Sequence, residues 1–297
     1  MVLSDGCPHP DTLATGRWCA LSLPSLSTAR RRNVKHRREY SLQMTLTNTA
    51  GWAAAARFGG AWGINAVAGA VSLALTPWLG PARALQTVTR PWAKAVLQLT
   101  RVTLDVVGAQ NLAEPAILLV NHLSLIDAVY APALAPKRTL FVVKRELGAI
   151  PLWGWALRAG GAILIDRGNS PTAIERLRSA ARTLPPRTSV LVFPEGTRSP
   201  DGKLQAFKKG AFRFALATRL PIVVMGTAGP LDVVPHGSIA IRPGCLHVTV
   251  SAPIPTSDWS EEQLATHMLE VRGTMERCIL ASESRREVRA AHRVDAR

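Results

Sequence analysis

An α/β fold is predicted for this 297-residue chain: a largely parallel central sheet flanked by helices, preceded by an N-terminal pair of membrane-associated helices. Three observations predict it. Short apolar runs alternate with helical stretches from about residue 110 onward, as strands and crossover helices of a parallel sheet do. Several of those runs end abruptly in polar residues, the pattern of a site at the carboxyl edge of a sheet. Ahead of them, residues 58–81 carry no charge at all.

Residues 1–45 are a basic leader, expected to be disordered. Its run A-R-R-R-N-V-K-H-R-R (Ala29–Arg38) has no apolar face. The run reads either as attraction to anionic lipid headgroups or as a solvated tail upstream of a chain that starts at Met44. No apolar core follows the arginines, so it is not a signal peptide.

Residues 46–104 form the helical region. The uncharged stretch Phe58–Pro81 just reaches the roughly 20 residues a helix needs to span a bilayer. Its Ala and Gly content and Pro77 make it a weak span, and basic residues on both sides give no orientation. A second helix is expected over Pro91–Leu104. The two read as an embedded or interfacial pair, with a buried soluble pair as the alternative.

Residues 105–282 hold the α/β domain. Strands are expected at Ala116–Val120, Leu140–Val143, Ala162–Ile165, Ser189–Phe193, Ile222–Met225 and Leu246–Val250. Helices are expected at Ile126–Leu134, Pro171–Leu184 and Gly210–Arg219. A last helix opens on a Ser260/Gln263 capping box, and Leu264, Met268, Val271, Met275 and Ile279 supply its apolar stripe. Residues 283–297 are a charged tail.

Composition narrows the partners. Hydrophobic residues make up 47% of the chain, yet 36 Lys and Arg against 20 Asp and Glu leave a net charge of +16. An apolar and strongly basic chain suits a surface of phosphate-bearing membrane lipids. With 5% aromatic residues and no nucleic-acid module, no nucleic-acid partner is expected. Cys7, Cys19, Cys245 and Cys278 have no paired ligand spacing, so they read as free thiols in a reducing compartment and no metal site is expected.

The chemistry sits at the strand ends. N-H-L-S-L-I-D (Asn121–Asp127) follows the strand A-I-L-L-V. His122 and Asp127 are five apart, about 140° around a helix, so only a turn between strand and helix can bring them together. Asp127 then accepts the Nδ1–H and leaves Nε2 free to take a proton. F-P-E-G-T-R (Phe193–Arg198) follows a second strand; Gly196 permits close backbone approach and Arg198 offers a forked donor for phosphate oxygens. Glu195 either anchors this loop or contacts substrate. A third strand ends at Asp166-Arg167-Gly168, and Lys208-Lys209-Gly210 opens a helix whose amides suit an anion.

The ordered series N-H-L-S-L-I-D, G-A-I-L-I-D-R, F-P-E-G-T-R-S and L-P-I-V-V-M resembles the four blocks of the glycerolipid acyltransferases, and within them the 1-acyl-sn-glycerol-3-phosphate acyltransferases. The resemblance covers roughly residues 90–255. K-R-E-L (Lys144–Leu147), P-L-W-G-W (Pro151–Trp155) and F-K-K-G-A (Phe207–Ala211) match as well. Val224 stands where the fourth block usually has a further proline, and the basic leader is outside the family pattern.

The resemblance implies that His122 deprotonates the acceptor hydroxyl and Asp127 orients it. It implies that Arg167, Glu195, Gly196, Thr197 and Arg198 bind the acceptor phosphate, with Lys208 and Lys209 beside them. Pro221 and Ile222 would line the acyl region. The implied substrates are lysophosphatidate and an acyl thioester of CoA or acyl carrier protein, with no cofactor. The implied location is the inner membrane, with the site facing the cytoplasm. Another lysolipid acceptor such as lyso-ornithine lipid, a non-catalytic lipid-binding protein and a thioesterase are the alternatives.

Overall fold

The computed structural model describes residues 56–57, 59–112, 115–166 and 170–295. The basic leader, with Cys7, Cys19 and Met44, lies outside them, as does Arg167. The apolar runs pair into one seven-stranded sheet of β1 (Val102–Val107), β2 (Ile117–Val120), β3 (Thr139–Lys144), β4 (Ile163–Ile165), β5 (Ser189–Val192), β6 (Ile222–Ala228) and β7 (Gly244–Val250). The spatial order is β1-β7-β6-β2-β5-β3-β4. The block from β6 to β4 is parallel throughout, whereas β7 runs antiparallel to β6 and carries β1 parallel to itself. The predicted largely parallel sheet is therefore present.

Central position explains why β2 is apolar at every residue: Ile117, Leu118, Leu119 and Val120 are all fully buried. Alternation then divides the core. Leu118, Val120, Val223 and Met225 face one helical layer, and Ile117, Leu119, Ile222 and Val224 face the other. The first layer holds α1 (Gly59–Leu79), α2 (Pro81–Thr100), α3 (Asp127–Leu134) and α4 (Trp153–Ala159). The second holds α5 (Ser170–Arg182) and α6 (Lys209–Thr218), and the one-turn α7 (Pro230–Val233) follows β6. The closing helix α8 (Leu264–Asp295) lies in the second layer with its Val271, Met275 and Cys278 in that core. The Gln263 amide donates to Ser260 Oγ at 3.4 Å, which is the forward arm of the expected capping box. The charged stretch beyond Ser282 continues as helix to Asp295.

The expected helix over Pro91–Leu104 is corrected at both ends. Its helix starts ten residues earlier, with Pro81 at the first position and Pro91 inside. A proline removes one amide donor and opens a helix readily, so Pro91 imitates a start. Arg101 adopts a left-handed conformation (φ 56°), its amide caps the carbonyls of Leu97 and Gln98, and the chain leaves as a strand. The β-branched V-T-L-D-V-V that follows suits the free edge of β7, so Val102–Leu104 belong to the sheet.

α1 is turned inside out relative to a soluble helix. Its 21 residues are long and apolar enough to cross a membrane by length and composition. Its buried face is small or polar, with Ala61, Ala68, Gly69 and Ser72. Its outer face exposes Trp62, Val67 (64%), Val71 and Trp78 (78%). A contiguous apolar face of this kind marks a membrane or partner surface.

α8 approaches the sheet so closely that only glycine fits beneath it. A Cβ on Gly226 of β6 would lie 2.5 Å from Cys278 Cβ and 2.6 Å from the Ile279 nitrogen. Overpacking of this kind costs about 1–3 kcal/mol. Gly226→Ala is therefore expected to lower the denaturant midpoint by that margin without changing the slope, as measured by urea titration followed by circular dichroism.

Candidate active site

The chain emerging from β2 no longer has a neighbouring strand to bond, and buried peptide groups must be paired. The Asn121 side chain pairs both main-chain groups of Thr227 on β6: Nδ2 donates to the Thr227 carbonyl at 3.1 Å and Oδ1 accepts the Thr227 amide at 2.9 Å. That double bond pins the end of β2 to β6. Tyr130 of α3 donates its hydroxyl to Thr227 Oγ1 at 2.7 Å. Burial first, then the Asp127 charge, raises the Tyr130 pKa well above its usual range, so it remains a donor.

The turn after Asn121 brings the predicted pair together. His122 Nδ1 lies 3.0 Å from Asp127 Oδ2, with Asp127 fully buried at the first position of α3. The same oxygen accepts the amides of Leu123 (2.6 Å) and Ser124 (2.7 Å). Those two bonds fold the chain back over five residues, which a continuous helix would not do. An acceptor at Nδ1 fixes the tautomer with hydrogen on Nδ1, leaving Nε2 as the basic nitrogen. The imidazole stacks on Phe193 with ring centroids 4.1 Å apart.

The segment after β5 wraps the base. Glu195 is 1% exposed; Oε1 accepts the His122 amide at 2.7 Å and Oε2 accepts the Gln205 amide at 2.9 Å. Burial pushes its pKa up, against the pull of the two amides, while the Asp127 charge raises it and Arg272 lowers it. The His122 carbonyl accepts the Ser199 amide at 2.8 Å. Between these two anchors Thr197 and Arg198 stand exposed. Gly196 has φ 74°, and a Cβ there would meet Lys208 Cγ at 3.3 Å. Lys208 and Lys209, both exposed, open α6. Lys144 and Arg145, at the carboxyl end of β3, lie on the same edge of the sheet, and Arg145 pairs with Asp166 at 3.8 Å after β4.

Phe193, which stacks on the imidazole, also lines an apolar cavity of about 460 Å³ between the first helical layer and the sheet. Leu125 and Ile126 line it as well, as do Trp92 and Trp153, whose tilted rings have centroids 4.4 Å apart. The Trp92 indole donates to Asn65 Oδ1 at 2.5 Å, tying α2 to α1.

The structure thus brings His122, Asp127, Glu195, Gly196 and Lys208 into one neighbourhood. It does not bring Pro221 and Ile222 there, and the acyl-region expectation is corrected. Ile222 pairs with Ile117, five residues before His122, so it sits about 16 Å away along an extended chain. Ile222 packs in the second-layer core with Phe212 and Trp259, on the face of the sheet opposite the cavity. The cavity residues that sequence reading missed come from α1 to α4, from β3 and β5, and from the segments between them. Their common signal is that α1 and α2 carry small and aromatic residues where a plain anchor needs none.

Comparison with known proteins agrees with this geometry. A family profile described as Acyltransferase matches residues 103–227. A 1-acyl-sn-glycerol-3-phosphate acyltransferase of Limnanthes alba is 34% identical over 63% of this chain and 67% of its own length. One from Cocos nucifera is 40% identical over 52% of this chain, and the chain spans about half, 51%, of that protein. The chain belongs to the 1-acyl-sn-glycerol-3-phosphate acyltransferase family. The crystal structure of the 1-acyl-sn-glycerophosphate acyltransferase PlsC from Thermotoga maritima superposes with a TM-score of 0.64 at 25% identity. That likeness covers 77% of this chain and 97% of that one. Both the helical pair and the sheet of this chain thus have a counterpart of known fold.

Glu195 gives the site a pH signature. A carboxyl whose folded pKa is raised contributes stability that is fully present below its unfolded value and is lost as pH rises through the folded value. Between pH 7 and about 4.5, wild type is therefore expected to gain thermal stability relative to Glu195→Gln. Differential scanning fluorimetry of both proteins across that range measures it; a constant difference would mean that burial of Glu195 is not felt as a titration.

Proposed function

We propose that this family member is a 1-acylglycerol-3-phosphate O-acyltransferase, attached to the inner membrane with its site facing the cytoplasm. It transfers an acyl group from a thioester of CoA or acyl carrier protein to the free hydroxyl of lysophosphatidate, giving phosphatidic acid. The observation that carries the reading is the place of the His122 imidazole. It is polarised by Asp127 at 3.0 Å and stacks on Phe193, whose ring lines an apolar cavity, while the segment running on from Phe193 presents Arg198, Lys208 and Lys209 to solvent. A phosphorylated lipid has the same two ends.

His122 Nε2 takes the proton of the acceptor hydroxyl, and the oxygen attacks the thioester carbonyl. The tetrahedral intermediate collapses with the thiolate leaving, which recovers the proton from the imidazolium. Asp127 stabilises that transient charge. The cavity holds hydrocarbon, and Arg198 with the lysines holds phosphate by charge-assisted bonds. The exposed apolar face of α1 supports attachment to the bilayer, from which a lysolipid reaches the cavity mouth without crossing water.

The decisive assay offers purified protein a labelled acyl-CoA or acyl carrier protein with lysophosphatidate and identifies the lipid product. His122→Ala is expected to cost about a hundredfold or more in transfer rate with folding intact. Asp127→Asn is expected to cost as much, and also about 1–3 kcal/mol of stability, because two backbone amides depend on its oxygen. Near wild-type turnover in His122→Ala overturns the mechanism, and free fatty acid as the sole product identifies a hydrolase.

For attachment, the combined Val67→Asp, Val71→Asp and Trp78→Asp protein is expected to fold in detergent but to stay in the supernatant with vesicles at high salt. Removal of residues 1–43 is expected to leave high-salt attachment unchanged, since screening weakens only the electrostatic part. Vesicle sedimentation of both proteins decides it; release by the leader deletion alone would make the leader the anchor.

A further inference from the structure

The acid of F-P-E-G-T-R has no free face for a substrate. Glu195 is buried to 1%, and each carboxylate oxygen already receives an amide hydrogen. A second negative charge beside an acceptor phosphate would also repel it. What Glu195 does hold is main chain. One oxygen takes the amide of His122 on the β2 side, and the other takes the amide of Gln205 in the loop that runs on to Lys208 and Lys209.

The rest of the segment acts on the same residue. Ser199 donates to the His122 carbonyl at 2.8 Å, and Phe193 stacks against its ring. Both main-chain polar groups of His122 and one face of its imidazole are therefore set by residues 193–199, the stretch that also carries Gly196 and Arg198. The far arm is fixed in turn. Arg272 of α8 donates to the Gln205 carbonyl at 2.7 Å and the Leu204 carbonyl at 3.0 Å, and Gln205 Nε2 donates to Asp201 at 3.0 Å.

We propose that Glu195 is a positioning residue: its carboxylate locks the His122 backbone to the phosphate loop, so that the distance from base to bound phosphate is set by this side chain rather than by any contact it makes with substrate. The inference rests on the reading of His122 as general base. A carboxylate is required because both partners are N–H donors. A glutamine of the same size offers one oxygen and one NH₂, so either the His122 or the Gln205 amide then faces a donor in a buried place. An aspartate, one methylene shorter, does not span the two amides.

Glu195→Gln tests it with three readouts. The kcat for acyl transfer is expected to fall about tenfold or more, as a misplaced base does. The KM for lysophosphatidate is expected to stay within about twofold, since no substrate contact is lost. Carbethoxylation of His122 by diethyl pyrocarbonate, read by peptide mass spectrometry, is expected to quicken several-fold as the ring loosens. This last readout needs no turnover, so it stands apart from the proposed activity. A wild-type protein that transfers no acyl group sinks the reading of the site, whereas changed labelling still supports the clamp.

A risen KM with kcat retained would place Glu195 on the substrate and overturn the proposal. Unchanged kcat with unchanged labelling would overturn it too. So would a variant whose activity falls only in proportion to its folded fraction, because the carboxylate then serves the fold and not the base.

Discussion

Where β2 ends, the amides of three consecutive residues, 122 to 124, are buried beyond the reach of the sheet ladder, and the site is assembled from the groups that pair them. Asn121 is held through its amide to Thr227, the His122 amide by Glu195, the His122 carbonyl by Ser199, and the Leu123 and Ser124 amides by Asp127. Each of these partners belongs to a block by which the family is recognised, apart from Thr227 on β6. An unpaired buried amide costs about 1–3 kcal/mol, so every one of them is under structural as well as catalytic constraint. Asp127 shows the economy of the arrangement: the oxygen that closes the turn is the oxygen that polarises the imidazole.

The parallel order β6-β2-β5-β3-β4 makes this possible, since it delivers the carboxyl ends of five strands to one edge. His122 comes from the central strand, the phosphate loop from β5, and Lys144 and Arg145 from β3. The helical pair completes the other half of the site. By burying its small residues and exposing its large apolar ones, α1 leaves space between itself and the sheet, and α2 fills the back of that space with Trp92. A helix packed with its large residues inward would have closed the cavity. Membrane-facing surface and hydrocarbon-sized cavity are thus two consequences of one inverted helix.

His247 shows how a similar pair acquires a different meaning. It meets Asp105 at 2.8 Å, as close as the pair at the site, and Arg285 of α8 joins them at 3.3 Å. The His247 hydrogen bond, more than the arginine, holds the Asp105 carboxyl below its usual range. This cluster ties β1, β7 and α8 at the sheet's antiparallel end, away from the strand ends that carry the blocks, and none of its three residues lines the cavity behind Phe193. A His–Asp contact alone does not argue for a base; a neighbouring loop of exposed cations and an apolar cavity do.

Sequence alone determined the α/β class, six of the seven strands, the His122–Asp127 pair and the loop carrying Arg198, because each is a local pattern: alternation, a turn, a short motif. It misjudged β1, whose strand character shows only once β7 offers an edge, and it put Pro221 and Ile222 at the acyl region on family order when their pairing with Ile117 sets them at the far end of β6. Tertiary structure alone decided that Glu195 faces two amides, that Ser199 caps the His122 carbonyl, and that residues from α1 to Ile241 enclose one cavity. The bond from the His122 amide to Glu195 crosses 73 residues of chain, and no periodicity within a segment encodes which distant amide a buried carboxylate will meet.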